Sequence, residues 1–241
     1  MSSLNMPDTP QKESAFWKIS FVVLMGVIGF LVVTLIAMLS NTTPFLMIDQ
    51  TIDKLFKIDT VQSMWYITRA AGLIAYVLLW LSTVWGLAVS SKIIDPLVQR
   101  GSSYDFHQVL SLLSIAFIVL HIVVLMFDQY MPYTLAQILI PFTSPYRSVW
   151  VGIGVIALYL TVLVSVTFYI RRWIGQKAFR TIHYLSLIAF IGSAIHGLFS
   201  GTDSPLWTVQ AMYSFTSLSV VFLTVYRIAA SRPKRQRSLS H

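Results

Sequence analysis

The sequence predicts an all-α polytopic membrane protein, a six-transmembrane-helix bundle. Three observations carry that prediction. The 241 residues are 56% hydrophobic and only 11% charged, with mean hydropathy +0.73, whereas soluble domains carry about 25% charged residues. Six apolar runs each approach the ~20 residues that a helix needs to cross a bilayer. Basic residues gather in alternate loops. This composition excludes intrinsic disorder, which needs the opposite bias. Strands of a membrane barrel are shorter and alternate in polarity, and these runs do neither.

Residues 1–16 are polar, contain Pro7 and Pro10, and are expected to form a disordered cytoplasmic tail. The membrane domain is expected over 17–230. Its first run, Trp17–Leu39, is too long for a signal-peptide core and lacks a small-x-small cleavage site, so it is assigned as a retained span. The next five are Trp65–Val89, Phe106–Phe127, Val149–Ile170, Thr181–Phe199 and Leu206–Tyr226. A basic cytoplasmic tail, 231–241, follows.

Charge sets the orientation. Lys12 and Lys18 precede span one, and Lys92 and Arg100 lie between spans two and three. Arg171, Arg172, Lys177 and Arg180 lie between spans four and five, and Arg227, Arg232, Lys234, Arg235 and Arg237 follow span six. The alternate loops hold fewer basic residues, offset by acidic ones. By the positive-inside rule both termini are cytoplasmic. The net charge of +8 thus marks topology. The bilayer is the expected partner, and no nucleic-acid partner is expected. Two outer loops carry helical patterns of their own. Ile48, Ile52, Leu55 and Phe56 recur at helical spacing among charges. The run from Tyr133 to Ile140 lies between Pro132 and Pro141 and is a candidate lid.

Cysteine is absent, which removes thiolate metal sites, cysteine-ligated iron–sulfur clusters and thioether-attached haem. Four of the five histidines lie in two spans: His107 and His121 in the third, His183 and His196 in the fifth. Their separations correspond to about 21 Å and about 20 Å along a helix. Both spans start on the same side. His107 and His183 therefore share one depth, and His121 and His196 another. Two levels of two imidazoles suit two haems, each iron having two axial ligands and no open position. Zinc needs three or four ligands converging on one point. Histidines in a span also serve as plain interhelical hydrogen bonders, but ionisable residues inside membranes are rare and mostly functional. The expected haem sites lie between the third and fifth spans.

The 13-residue step from His183 to His196 misses the same face of an ideal helix by ~140°. Distorted geometry is therefore expected between them, with Gly192-Ser193 as the candidate place.

Several motifs resemble bacterial ferric-reductase-like transmembrane domains of the NADPH oxidase and ferric reductase superfamily. They are the two histidine spacings, Arg69-Ala-Ala-Gly72, Pro141-Phe-Thr-Ser-Pro-Tyr-Arg147, Arg180-x-x-His183, and His196-Gly-Leu-x-x-Gly-Thr-Asp203. The resemblance covers roughly residues 60–230. It implies two stacked b-type haems, the inner on His107/His183 and the outer on His121/His196, with electrons flowing outward from the cytoplasm.

Haem propionates need cationic partners. Arg69 and Arg147 are candidates at the outer haem, and Arg180 at the inner one. The plain reading of each is a topology or headgroup anchor. Larger relatives append a flavin and nicotinamide domain after span six. Here about fifteen residues follow, far short of a domain. The expected donor is therefore separate: a cytoplasmic reductase, a quinone or a membrane flavin such as FMN. The expected acceptor is extracytoplasmic: a ferric chelate, oxygen, or a periplasmic reductase fed by a haem-binding membrane subunit. The reading from another class is a histidine-lined proton or metal transporter without haem.

Overall fold

The computed structural model describes residues 62–128 and 131–230. The first span, the amphipathic 48–56 segment and both tails lie outside the described residues. The described chain is helical: α1 Gln62–Ser90, α2 Arg100–Met126, α3 Leu135–Leu139, α4 Ser148–His183, α5 Leu185–Ser200 and α6 Trp207–Ala230. Four of these, α1, α2, α4 and α6, are long and apolar enough to cross a membrane, and α5 is a shorter apolar helix. The chain is thus a multi-pass helical membrane protein.

Two helical hairpins form the bundle. The first joins α1 and α2. α1 ends in a Schellman-type cap, with Lys92 in the left-handed region at φ 60°. Its N–H reaches the Val89 carbonyl at 3.1 Å, and the Ile93 N–H reaches Ala88 at 3.1 Å. Pro96 then prevents the helix from continuing. Small side chains let the two helices approach closely. Ser114 is fully buried, and its hydroxyl donates to the Ala75 carbonyl at 3.1 Å. Trp85 Nε1 donates to the Ser103 carbonyl at 2.9 Å.

The second hairpin turns at Gly175. Its φ of 79° and ψ of 157° interrupt α4, in a region that residues with a Cβ essentially never adopt. The arm 148–174 therefore packs antiparallel to 176–200: Gly192 meets Ala157, and the Phe168 and Phe179 rings lie 6.3 Å apart.

α6 fastens to α1 by polar contacts inside an apolar setting. Tyr76 and Thr216 share a hydroxyl hydrogen bond of 2.6 Å, and Trp80 Nε1 donates to Ser219 Oγ at 2.8 Å. Tyr76 also stacks on Phe190 of α5 at 5.7 Å and meets the Tyr213 ring at 4.6 Å, tilted by 47°. This aromatic cluster is the middle of the core.

The candidate lid is a strap from 131 to 147 containing α3, which a capping box between Thr134 and Gln137 starts. Phe142 (φ 67°) and Arg147 (φ 42°) adopt the left-handed region. Phe142 lies directly on Gly152, where any side chain would collide. Ser144 Oγ donates to the Tyr146 carbonyl and accepts from the Tyr133 hydroxyl. Tyr146 donates to the Ser200 carbonyl at 3.3 Å, which ties the strap to the end of α5.

Candidate functional site

The two hairpins bring the four histidines together as two pairs. The His121 and His196 rings lie 6.5 Å apart at an interplanar angle of 74°; His107 and His183 lie 6.2 Å apart at 76°. We call these the upper and lower pairs, the upper one being at the Arg69 end. Metal–imidazole bonds of about 2.0–2.1 Å, plus about 1.1 Å from each nitrogen to its ring centre, put rings sharing one ion about 6.3 Å apart. Both pairs match that spacing.

Three of the four rings sit in the same kind of seat, a glycine with an acceptor one turn earlier. A Cβ on Gly72 would lie 3.0 Å from His121 Nδ1, and the Thr68 carbonyl accepts from that nitrogen at 2.9 Å. A Cβ on Gly154 would lie 2.5 Å from His196 Nδ1, and the Trp150 carbonyl accepts from it at 3.0 Å. A Cβ on Gly86 would lie 3.0 Å from the His107 ring. There the Ser82 hydroxyl lies 3.2 Å from Nδ1, and the Ser82 backbone also bonds the ring.

Carbonyls only accept, so His121 and His196 carry their proton on Nδ1 and leave the Nε2 lone pair for a ligand. The same follows for His107 by a longer route. Ser111 Oγ donates its one proton to the His107 carbonyl at 2.8 Å. Ser82 Oγ must then donate to Ser111 Oγ, 2.7 Å away. Ser82 is left to accept from His107 Nδ1. His183 differs: its Nδ1 is buried with no hydrogen-bond partner among the described residues.

The upper pair opens into a cavity of about 360 Å³ lined by both histidines, Gly72, Gly154, Arg69, Asp203 and strap residues such as Tyr133. Its size is that of a small-molecule site. Arg69 binds Asp203 through two prongs: Nε donates to Oδ2 at 2.7 Å, and Nη2 meets Oδ1. Its guanidinium lies 3.9 Å over the Trp65 ring. Thr68 Oγ1 and Ser200 Oγ, on cavity-lining residues, are buried without partners among the described residues. Burial pushes the Tyr133 phenol up from its ordinary value.

The three arginines proposed as propionate partners separate. Arg69 lines the cavity, already paired with Asp203. Arg147 is not among the lining residues; it is exposed and donates to the Phe199 carbonyl. Its left-handed backbone at the head of α4 aims it there. Arg180 is exposed on the 176–183 arm. The cation that the fold brings near His183 is Arg227, 5.4 Å over the neighbouring Tyr184 ring. The expected distortion between His183 and His196 falls at Tyr184, not at Gly192-Ser193. The helix is interrupted there and tightens, with Leu187 N–H bonding the Tyr184 carbonyl at 3.2 Å. A tightened turn advances each residue by about 20° more than a regular helix, and so absorbs part of the angular misfit.

The glycine seats, Ser82 and Ser111 carry no titratable group, and Arg227 stands in the sequence only as a topology marker. One signal for them is present in the sequence: Gly72 and Gly86 have the same separation as His107 and His121. Gly197 has a different reason. A side chain there would overlap the Tyr213 hydroxyl.

Among the described residues no group of three or more His, Cys, Asp or Glu converges on a point. Three of the four paired imidazoles have Nδ1 committed, and at the upper level a largely apolar cavity lies beside the pair, so these residues could hold a planar cofactor through Nε2. No curated protein and no solved structure matches this chain. A family model described as a domain of unknown function, DUF8596, matches residues 63–203. The match runs from the start of α1 to Asp203, taking in all four paired histidines and both partners of the Arg69–Asp203 bridge, and the chain belongs to that family.

Proposed function

We propose that the protein conducts electrons across the membrane through two b-type haems, held by His107/His183 and His121/His196. The spacing of the two histidine pairs carries this reading. A haem iron with two imidazole ligands changes oxidation state by one electron and has no open position for substrate. The chain's part is to hold and orient the ligands. The carbonyls of Thr68 and Trp150 and the hydroxyl of Ser82 fix three imidazole tautomers. The glycines supply the room. Ser114, Ala189 and Phe190, all buried, pack the core between the levels and exclude water. Arg69 is the cation placed to meet a carboxylate at the upper level, and Arg227 is a candidate at the lower one.

In this reading the protein sits in a bacterial plasma membrane with both termini cytoplasmic. A cytoplasmic or membrane donor serves the lower level, and an extracytoplasmic acceptor the upper one. Moving an electron outward is favoured by about 2.3 kcal/mol per 100 mV of inside-negative potential. The test is a reduced-minus-oxidised spectrum of detergent-purified protein with haem per chain measured as pyridine haemochrome. Two b-type haems per chain, falling to one in His107→Ala or His196→Ala, are expected. Protein from haem-sufficient cells that carries none overturns the proposal.

A further inference from the structure

The upper and lower pairs differ in what accepts their Nδ1 protons, and this difference assigns work to two serines. At the upper level both acceptors are backbone carbonyls, which no substitution of their own side chains removes. At the lower level the Ser82 hydroxyl on α1 lies 3.2 Å from Nδ1, and the Ser82 backbone also bonds the ring. The hydroxyl's own proton is directed away to Ser111, and Ser111 is tied back to the His107 carbonyl one turn earlier on α2. The ring of bonds His107 Nδ1–H to Ser82, Ser82 to Ser111 and Ser111 to His107 C=O is closed, with each direction forced by the carbonyl at its end. Ser82 is 5% exposed, so water does not readily replace it.

We propose that Ser82 and Ser111 are positioning residues that set the redox potential of the lower site, acting through His107. The inference rests on the haem reading above. An Nδ1–H that donates a hydrogen bond makes its imidazole a stronger ligand and favours the oxidised iron. Removing the acceptor weakens the ligand and favours the reduced iron. The lower site is the adjustable one because its second histidine, His183, has no Nδ1 partner among the described residues to compensate.

The experiment is a potentiometric titration of the purified full-length protein, comparing wild type with Ser82→Ala, Ser82→Thr and Ser111→Ala. Haem per chain is measured in the same samples. Ser82→Ala is expected to move one of two components to more positive potential and leave the other unmoved. Ser82→Thr, which keeps the hydroxyl, restores the wild-type value. Ser111→Ala, which frees the Ser82 proton, gives a smaller shift of the same component. Loss of one haem in Ser82→Ala with rescue in Ser82→Thr also supports the assignment. Two bound haems with unchanged potentials in Ser82→Ala overturn it and leave the functional reading standing. A wild-type protein without haem overturns both.

Discussion

The upper and lower histidine pairs have nearly the same ring spacing but are built differently. His121 and His196 each face a glycine and each donate to a backbone carbonyl. They open into a cavity whose rim carries the Arg69–Asp203 bridge and whose wall includes the strap. His107 has a glycine seat and adds a side-chain hydroxyl at Nδ1, and His183 has no Nδ1 partner among the described residues. The upper level is thus fixed by main chain alone, while the lower one adds side-chain hydroxyls. Main-chain acceptors are held by the helix itself, whereas a serine can be replaced without disturbing the helix. Equal spacing therefore does not imply equal properties.

The largest expected effect separates the levels outright. Gly154→Val puts side-chain atoms into the space of the His196 ring, where even a Cβ lies 2.5 Å from Nδ1. Haem content should fall from two to one per chain, with His107→Ala in the same background removing the rest. Retention of both haems in Gly154→Val would show that the glycine seat does not position His196.

A smaller effect should come from Asp203→Asn. It leaves Arg69 without its anionic partner at a partly exposed site, at a cost on the order of 1 kcal/mol after solvent screening. Thermal denaturation followed by haem absorbance should show the upper component released earlier and the lower one unchanged. Equal loss of both would mean that the bridge supports the whole bundle rather than one level.

The smallest effects come from a matched pair. In Gly72→Ala and Gly86→Ala the new methyl group lies 3.0 Å from a histidine ring in each case. Overpacking of about 1–3 kcal/mol is offset by about 1 kcal/mol of helix propensity. Haem titration should show modest weakening, of the upper site by Gly72→Ala and the lower by Gly86→Ala. The lower site should tolerate it better if a serine acceptor can follow the ring. Weakening of the same site by both variants would break the assignment of one glycine to each level.

Much of this architecture was legible in the residues. The apolar runs located α1, α2, α4 and α6, because a helix in lipid must be apolar over most of its length. The pairing of histidines by depth followed from spacing, because rise per residue is fixed in a helix. Angular placement was less accessible. The misfit between His183 and His196 signalled a distortion, but the local glycine drew the expectation to Gly192-Ser193. The interruption at Tyr184 lies just past the lower histidine, and no residue type there announces it. Arg147 showed the same limit. Its position at a helix start was visible, but its left-handed backbone and its bond to Phe199 were not.

By itself the sequence determined the apolar helices, the two depths at which histidines occur, and the absence of thiol ligands. These are one-dimensional properties, set by composition and by a constant rise per residue. The tertiary structure decided which groups meet. It brought Asp203 to Arg69, Arg227 to Tyr184, and a glycine to each of three rings. It also decided the direction of the Ser82–Ser111 relay. Those contacts join different helices, so they depend on crossing and register, which each helix acquires only when packed against the others.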